Sequence, residues 1–270
     1  MQYIIKAPVK SVVLCCIWLS AFCNTCMAQD EISDDDSPSP KRFSVGFSLG
    51  NGYPVGEYGS ISASRLPMSR GTGPDTGRIS GYARQGFHFS IDAACRIAGN
   101  FSVILAYSGN QESFDINALN AQYHAPYPPN TVFVYTTHQY FMWQFLAGPQ
   151  YSLPVSEACS LEFRALAGVA HLYSPELNYN GLQDTLTVTW PVGGGFGYSL
   201  GAGIKYTVPT EGALGVSFHL SAGYEGAIIR FPYYSTLTAN TNSVNASQYN
   251  IAKFMNVGLI EISAGLSLDF

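Results

Sequence analysis

The sequence predicts an all-β fold: an eight-stranded, antiparallel, up-and-down transmembrane β-barrel. Three observations predict it. Eight segments alternate apolar and polar residues with period two, the mark of a strand with two unlike faces. The connections between those segments alternate between short and long, as the two rims of a membrane barrel do. The apolar face carries almost no charge, while the polar face is mostly Gly and Ser with a few charged residues. A soluble barrel reverses that arrangement, with an apolar lumen and a Lys- and Glu-rich exterior.

The strands follow in order. The first sets Phe43, Val45, Phe47 and Leu49 against Ser44, Gly46 and Ser48. In the second, Phe87, Phe89, Ile91, Ala93 and Cys95 oppose His88, Ser90, Asp92 and Arg96. Phe101, Val103, Leu105 and Tyr107 mark the third, and Phe141, Trp143, Phe145, Ala147 and Tyr151 the fourth. The fifth has Leu161, Phe163, Ala165, Ala167 and Val169 against Glu162, Arg164 and Gly168. The sixth has Phe196, Tyr198, Leu200, Ala202, Ile204 and Tyr206 against Gly197, Ser199, Gly201, Gly203 and Lys205. The seventh has Leu214, Val216, Phe218, Leu220, Ala222 and Tyr224 against Ser217, His219, Ser221 and Glu225. The eighth has Ile260, Ile262, Ala264, Leu266, Leu268 and Phe270 against Glu261, Ser263, Gly265 and Ser267. Before Ile260 the alternation fails, because Lys253, Met255, Val257 and Leu259 fall on the nominal lumen face; a bulge that switches faces is expected there.

Connections 98–100, 154–160 and 209–213 are short, whereas 51–84, 110–138, 172–195 and 226–250 are long. Short turns belong to the periplasmic rim and long loops to the exterior. An even strand number then places both termini in the periplasm of an outer membrane. Ten strands is the alternative, if a long loop hides a hairpin. Tyr107, Tyr151, Tyr173, Tyr206 and Tyr224 are candidates for interfacial girdles.

Composition agrees. Charged residues are 11% and aromatics 14% of the chain, against about 25% charged in an ordinary soluble domain. The net charge of -5 excludes electrostatic attraction to nucleic acid.

Residues 1–28 read as a signal peptide: Lys6 and Lys10 precede an apolar run at 11–23, and Cys26-Met27-Ala28 offers a cleavage site before Gln29. A lipoprotein signal is disfavoured, since neither Phe22 before Cys23 nor Thr25 before Cys26 gives a Leu-x-small lead-in. Residues 29–42, QDEISDDDSPSPKR, form an acidic Ser/Pro-rich leader that cannot bury a core. The barrel is expected over 43–270. Cys95 and Cys159 remain after cleavage, and two free thiols are expected.

The terminal alternation Ile262, Ala264, Leu266, Leu268, Phe270 resembles the C-terminal signal read by the outer-membrane barrel assembly machinery. With Pro54-Val55-Gly56-Glu57-Tyr58 and Gly148-Pro149-Gln150-Tyr151-Ser152-Leu153, the chain resembles the small outer-membrane β-barrel family common in Bacteroidetes, often labelled porin-like. The resemblance spans 43–270 and implies the fold and the assembly machinery as a partner. Its motifs are short and say little of function. Pro149 costs a paired strand a hydrogen bond, so a bulge or strand end is expected near it. No peptidoglycan-binding module is expected after Phe270.

The inward charged set is Asp92, Arg96, Glu162, Arg164, Lys205, His219, Glu225 and Glu261. Eight strands enclose a space just wide enough for side chains, and an unpaired charge there costs several kcal/mol. A packed hydrogen-bonded network is therefore the favoured reading, and an open polar pore the alternative. Gly46, Gly168, Gly197, Gly201, Gly203 and Gly223 would make room for long Arg, Lys and Tyr side chains. The pairs His88/Ser90 and His219/Ser221 have the His-x-Ser spacing of a lipid A deacylase, but they point into the lumen, away from a lipid ester. His88, His124, His138, His171 and His219 show no metal-ligand spacing, and no phosphate-binding loop is present; no metal or cofactor is expected.

The long loops carry Arg65, Arg70, Arg78 and Arg84, a modest basic cluster that suits lipopolysaccharide phosphates or simple solvation. Segments 123–130 and 231–234 are rich in Pro and aromatics, and Asp184-Thr185-Leu186 resembles a Bacteroidetes O-glycosylation acceptor. The functional expectation is a non-enzymatic outer-membrane protein acting structurally or through surface contact, its partners being membrane lipids, lipopolysaccharide and an unknown surface partner. A narrow solute channel and a lipid A-remodelling enzyme are the alternatives.

Overall fold

A computed structural model describes residues 42–61, 68–70, 80–124, 132–136, 139–181, 185–189, 192–209, 214–231, 236–239, 249–251 and 254–270. The expected signal peptide and nearly all of the acidic leader lie outside these residues. So do Arg65, Arg78, His138 and Asp184.

The elements in chain order are β1 (Phe43–Pro54), α1 (Gly56–Gly59), β2 (Met68–Arg70), β3 (Ala83–Ala98), β4 (Phe101–Phe114), α2 (Ile116–His124), β5 (Val132–Thr136), β6 (Tyr140–Pro154), β7 (Cys159–Tyr173), β8 (Leu177–Gly181), β9 (Thr185–Thr189), β10 (Gly193–Thr207), β11 (Gly215–Arg230), β12 (Thr236–Ala239), β13 (Tyr249–Ile251) and β14 (Phe254–Asp269). Eight of them close a barrel in the order β1-β14-β11-β10-β7-β6-β4-β3. Every neighbouring pair is antiparallel.

The seam is β1 against β14. Phe43 and Phe270 exchange both backbone hydrogen bonds, at 2.8 and 2.9 Å, and their rings stack with centroids 6.2 Å apart. Closure leaves the wall no unpaired edge, which is compulsory for strands in lipid.

Alternation decides which face meets what. Leu200 is 58% exposed, Leu220 56% and Phe196 54%. Phe218 on β11 is likewise exposed, as are Phe47, Ile91, Phe163, Ile262 and Leu266 on four other strands. An apolar belt running around the wall is far larger than any patch a soluble monomer leaves to water. The barrel strands run 12–16 residues, longer than the roughly 9–11 that a tilted strand needs to cross a bilayer. They overshoot at the long-loop end. There the belt gives way to exposed amides: Gln111 donates to Gln139 at 2.7 Å and Gln85 to Asn51 at 3.5 Å.

Three expectations are corrected. β14 has no bulge: its register with β11 runs unbroken from Phe254↔Arg230 to Asp269↔Gly215. Met255, Val257 and Leu259 therefore point inward and are buried, because the lumen at that level is apolar. Pro149 sits inside β6 opposite Val103, and the β6–β7 ladder skips it without changing register, resuming at Gln150↔Arg164. Gly148 beside it is pressed against the Ala165 carbonyl, so the strands stay close although the ladder opens. Finally, Tyr198 and Tyr224 lie together on the outer wall, ring centroids 6.0 Å apart, so the inward glycines do not accommodate tyrosines. Gly46 lies against the Asp92 carboxylate and Gly201 against the Arg164 side chain.

A loop does hide a hairpin, β8–β9, but it does not enter the wall. It joins a separate four-stranded sheet, β12-β9-β8-β5. Cys95 and Cys159 are not joined in a disulfide, and Cys159 opens β7.

The exterior belt gives a direct expectation. Leu200→Arg, at mid-strand on the outer face, destabilises the refolded barrel in lipid vesicles by about 2–4 kcal/mol. A soluble barrel would register that surface change within about 0.5 kcal/mol, and denaturant titration distinguishes the two.

Candidate functional site

The lumen is the candidate site, and it is filled in three tiers. Nearest the short turns, Lys205 donates to Asp269 at 2.6 Å, and the Ser217 hydroxyl donates to the other Asp269 oxygen at 2.6 Å. Beside this pair is a cavity of about 40 Å³ lined by Asp92, Glu162, Arg164, Lys205, His219 and Ser221 among others. That volume admits a few water molecules and no ordinary solute. Ile104, Ala106, Leu146 and Leu166 pack as a small apolar cluster on the β4, β6 and β7 side.

The middle tier is polar and buried. Arg164 donates to Glu261 Oε1 at 2.6 Å. Glu225 accepts from Ser108 at 3.0 Å and from the Asn110 amide at 2.6 Å, with Gln144 at 3.5 Å. His88 Nδ1 lies 2.8 Å from Asn110 Oδ1, and its Nε2 lies 3.4 Å from Glu261 Oε2. The Ser48 and Ser90 hydroxyls meet at 2.6 Å, and those of Ser221 and Ser263 at 2.8 Å.

The third tier, at the long-loop end, is a hydrophobic core of the soluble type. Met142, Leu172, Ile229, Met255 and Leu259 project inward from the wall and are fully or almost fully buried. Tyr58 of α1, Leu119 of α2, and Val134, Leu177, Tyr179 and Val188 of the loop sheet belong to the same cluster. Each large apolar side chain so buried contributes roughly 1.5–3 kcal/mol. The loop sheet presents them on one face, since Val134 pairs with Tyr179 and Leu177 with Val188.

The segment Pro54-Val55-Gly56-Glu57-Tyr58 is what turns the first loop into this mouth. Val55 N–H donates to the Gly258 carbonyl at 2.8 Å. Gly56 takes φ +63°, a left-handed conformation costly for residues with a Cβ. Tyr58, fully buried, then donates to Glu112 Oε2 at 2.9 Å and meets the Tyr140 ring edge-on at 5.1 Å. Burial first, and the Glu112 charge second, push the Tyr58 phenol well above its ordinary range, so it stays a donor. Asn256 anchors the neighbouring Glu57 at 2.8 Å.

The eight inward residues read from the sequence are thus divided. Arg164, Glu225 and Glu261 share the middle tier. Asp92, Glu162, Lys205 and His219 surround the cavity below. Arg96 does not join them: it stands exposed near the Gly99-Asn100 turn, beyond the end of the enclosed lumen and next to a register shift between Arg96 and Ala98. His88, Ser108, Asn110, Glu112, Gln144 and Asp269 complete the network and were missing from that set. Their signal was the even-numbered face of β3, β4 and β6 carried on past its apolar partners, and for Asp269 the position two after Ser267. Both His-x-Ser pairs lie in the interior, His88 and Ser90 buried, His219 and Ser221 on the cavity. Arg84, at the start of β3, pairs with Asp115 at 3.0 Å.

No family model and no curated protein matches the chain. Solved structures do resemble it. Neisserial surface protein A is 14% identical, with 84% of this chain and 96% of that one covered and a TM-score of 0.39. The attachment invasion locus protein Ail of Yersinia pestis is 13% identical over 84% and 99%, TM-score 0.37. The outer membrane protease OmpT of Escherichia coli is 10% identical over 88% and 99%, TM-score 0.37. Likenesses this distant carry no argument about this chain, whose closed barrel rests on its own strand order.

The middle tier makes a testable demand. Arg164→Met strands the Glu261 carboxylate and costs about 3–5 kcal/mol of stability, whereas the double variant Arg164→Met/Glu261→Met recovers most of it. A double-variant loss equal to the sum of the Arg164→Met and Glu261→Met losses, measured by urea titration, would mean that the two side chains are not coupled.

Proposed function

We propose that the protein is a non-enzymatic outer-membrane barrel that works through the structured platform its long loops build, the wall serving as an anchor. One observation carries this reading: all four long connections are joined by backbone ladders. The second supplies β5, the third β8 and β9, and the fourth β12 of one sheet. The first and fourth meet as β2 and β13. Loops that only reversed the chain direction would not need these ladders. Asn120 of α2 adds a further tie, its amide bonding both the N–H and the C=O of Val134 at 2.7 Å. The side of β5 facing α2 is blocked in this way from pairing with another strand.

The exterior belt supports a bilayer as the anchor's solvent, and the expected C-terminal assembly signal Leu266, Leu268 and Phe270 supports the outer membrane with periplasmic termini. The basic residues of the first loop and lipopolysaccharide phosphates are a compatible pair within this proposal. A lipid-remodelling role is opposed by the interior position of both His-x-Ser pairs. A channel role is opposed by the apolar tier across the mouth.

Planar-bilayer recording of the refolded barrel tests the reading. Protein shown to be inserted gives no resolved openings; regular, reproducible openings would make the chain a narrow channel and sink the anchor reading.

A further inference from the structure

The middle tier contains an arrangement that ion pairing alone leaves incomplete. His88 (β3), Glu225 (β11) and Glu261 (β14) are all buried, and one ligand-type atom from each lies within 4.8 Å of the other two. The orientation of His88 follows from its neighbours. Glu225 is an acceptor, so the Asn110 group 2.6 Å from it is the amide nitrogen. That leaves Asn110 Oδ1, an acceptor, facing His88 Nδ1 at 2.8 Å. His88 Nδ1 must therefore carry hydrogen. On a neutral imidazole the lone pair is then on Nε2, aimed at Glu261 Oε2 at 3.4 Å.

Neither of those two atoms has a hydrogen-bond partner, although both side chains are fully buried. Two lone pairs facing each other inside the lumen repel, so a positive charge, a proton or a metal ion, belongs between them. Charge sets which kind. Glu112, Glu225 and Glu261 bring three carboxylates to this part of the lumen, and Arg164 answers with one guanidinium, held by Glu261. A divalent ion offers these carboxylates two charges and several ligand positions, where a proton on His88 offers one charge and one hydrogen bond.

We propose that His88 Nε2, Glu261 and Glu225 bind a divalent transition-metal cation of the zinc class inside the lumen. One edge of the site already fits, and the remaining separations, within 4.8 Å, close by side-chain movement. Ligand atoms on a tetrahedral ion at about 2.0–2.2 Å sit about 3.3–3.6 Å from each other, and the His88–Glu261 separation of 3.4 Å is already that edge. One imidazole and two carboxylates suit a borderline divalent ion better than a soft one. The Asn110 carbonyl takes the place of the outer partner that fixes the tautomer of a metal-bound histidine. Ser108 and Asn110 orient Glu225 while leaving its oxygens further lone pairs.

The test uses the untagged mature chain, refolded from urea into phospholipid vesicles with Zn²⁺ present, so that entry to a buried site is not limiting. Free metal is removed by gel filtration and bound zinc is measured by atomic emission. The expected result is one zinc per folded chain, retained by Glu157→Gln in the exposed short turn and reduced at least tenfold in His88→Gln and Glu261→Gln. Asn110→Ala weakens retention about 10–100-fold by releasing the tautomer. X-ray absorption of the wild-type protein needs no variant to fold, and it should show one imidazole nitrogen with oxygen ligands. Folded wild-type protein without zinc, zinc held equally by the variants, or an absorption spectrum lacking imidazole would each overturn the proposal. So would nitrogen NMR showing both His88 nitrogens protonated in zinc-treated protein, which would assign the gap to a proton.

Discussion

An eight-stranded barrel has no room for bulk water, so every inward side chain must be met by one from another strand. The rest of this structure follows from that constraint. Near the short turns the requirement is met by Lys205 with Asp269 and by a cavity of a few waters. In the middle Arg164, His88 and the amides of Asn110 and Gln144 surround two carboxylates. At the mouth Met142, Met255 and Leu259 meet Tyr58 and the loop sheet. The glycines against Asp92 and Arg164 are a consequence: where one wall side chain is long, the wall beside it must be bare.

The change from polar to apolar along the lumen has its own cause. Within the bilayer the outer face must be apolar, and the inner face takes the polar residues. Past the belt the outside can be wet, as Gln111 and Gln139 are, and the loops supply partners for an apolar inside. The strand then behaves as one in a soluble core does. β14 shows the exchange in a single continuous element, with Val257 and Leu259 inward on one side and Ile262 and Leu266 outward on the other.

This explains what was legible in the sequence. The eight wall strands were readable wherever lipid enforced a clean alternation, as in Phe163, Ala165, Ala167 and Val169 of β7. The ends were not. Asn110-Gln111-Glu112 reads as loop because both faces are polar, yet β4 continues through it, since beyond the belt Gln111 needs no apolar character. Met255, Val257 and Leu259 read as a fault in the pattern because period two reports which face is apolar, not whether that face looks toward lipid or toward a core. The three-residue cluster around His88 was invisible for another reason. Its members lie on β3, β11 and β14, and only closure of the sheet brings them together, so no spacing along the chain encodes it. Asp269 continues the inward face of Glu261, Ser263, Gly265 and Ser267, but the outward apolar residues of the terminal segment carry the stronger signal.

The most direct test of the filled lumen is chemical access to its mouth. In residues 29–270 with Cys95→Ala/Cys159→Ser, which removes every native cysteine, Met142→Cys and Leu259→Cys place single thiols in the apolar tier. The folded barrel in vesicles should protect both from a small charged methanethiosulfonate reagent, while the same chains in urea react fully. Rapid labelling of the folded protein, from either side of the membrane, would show a water-filled path through the mouth and contradict the account.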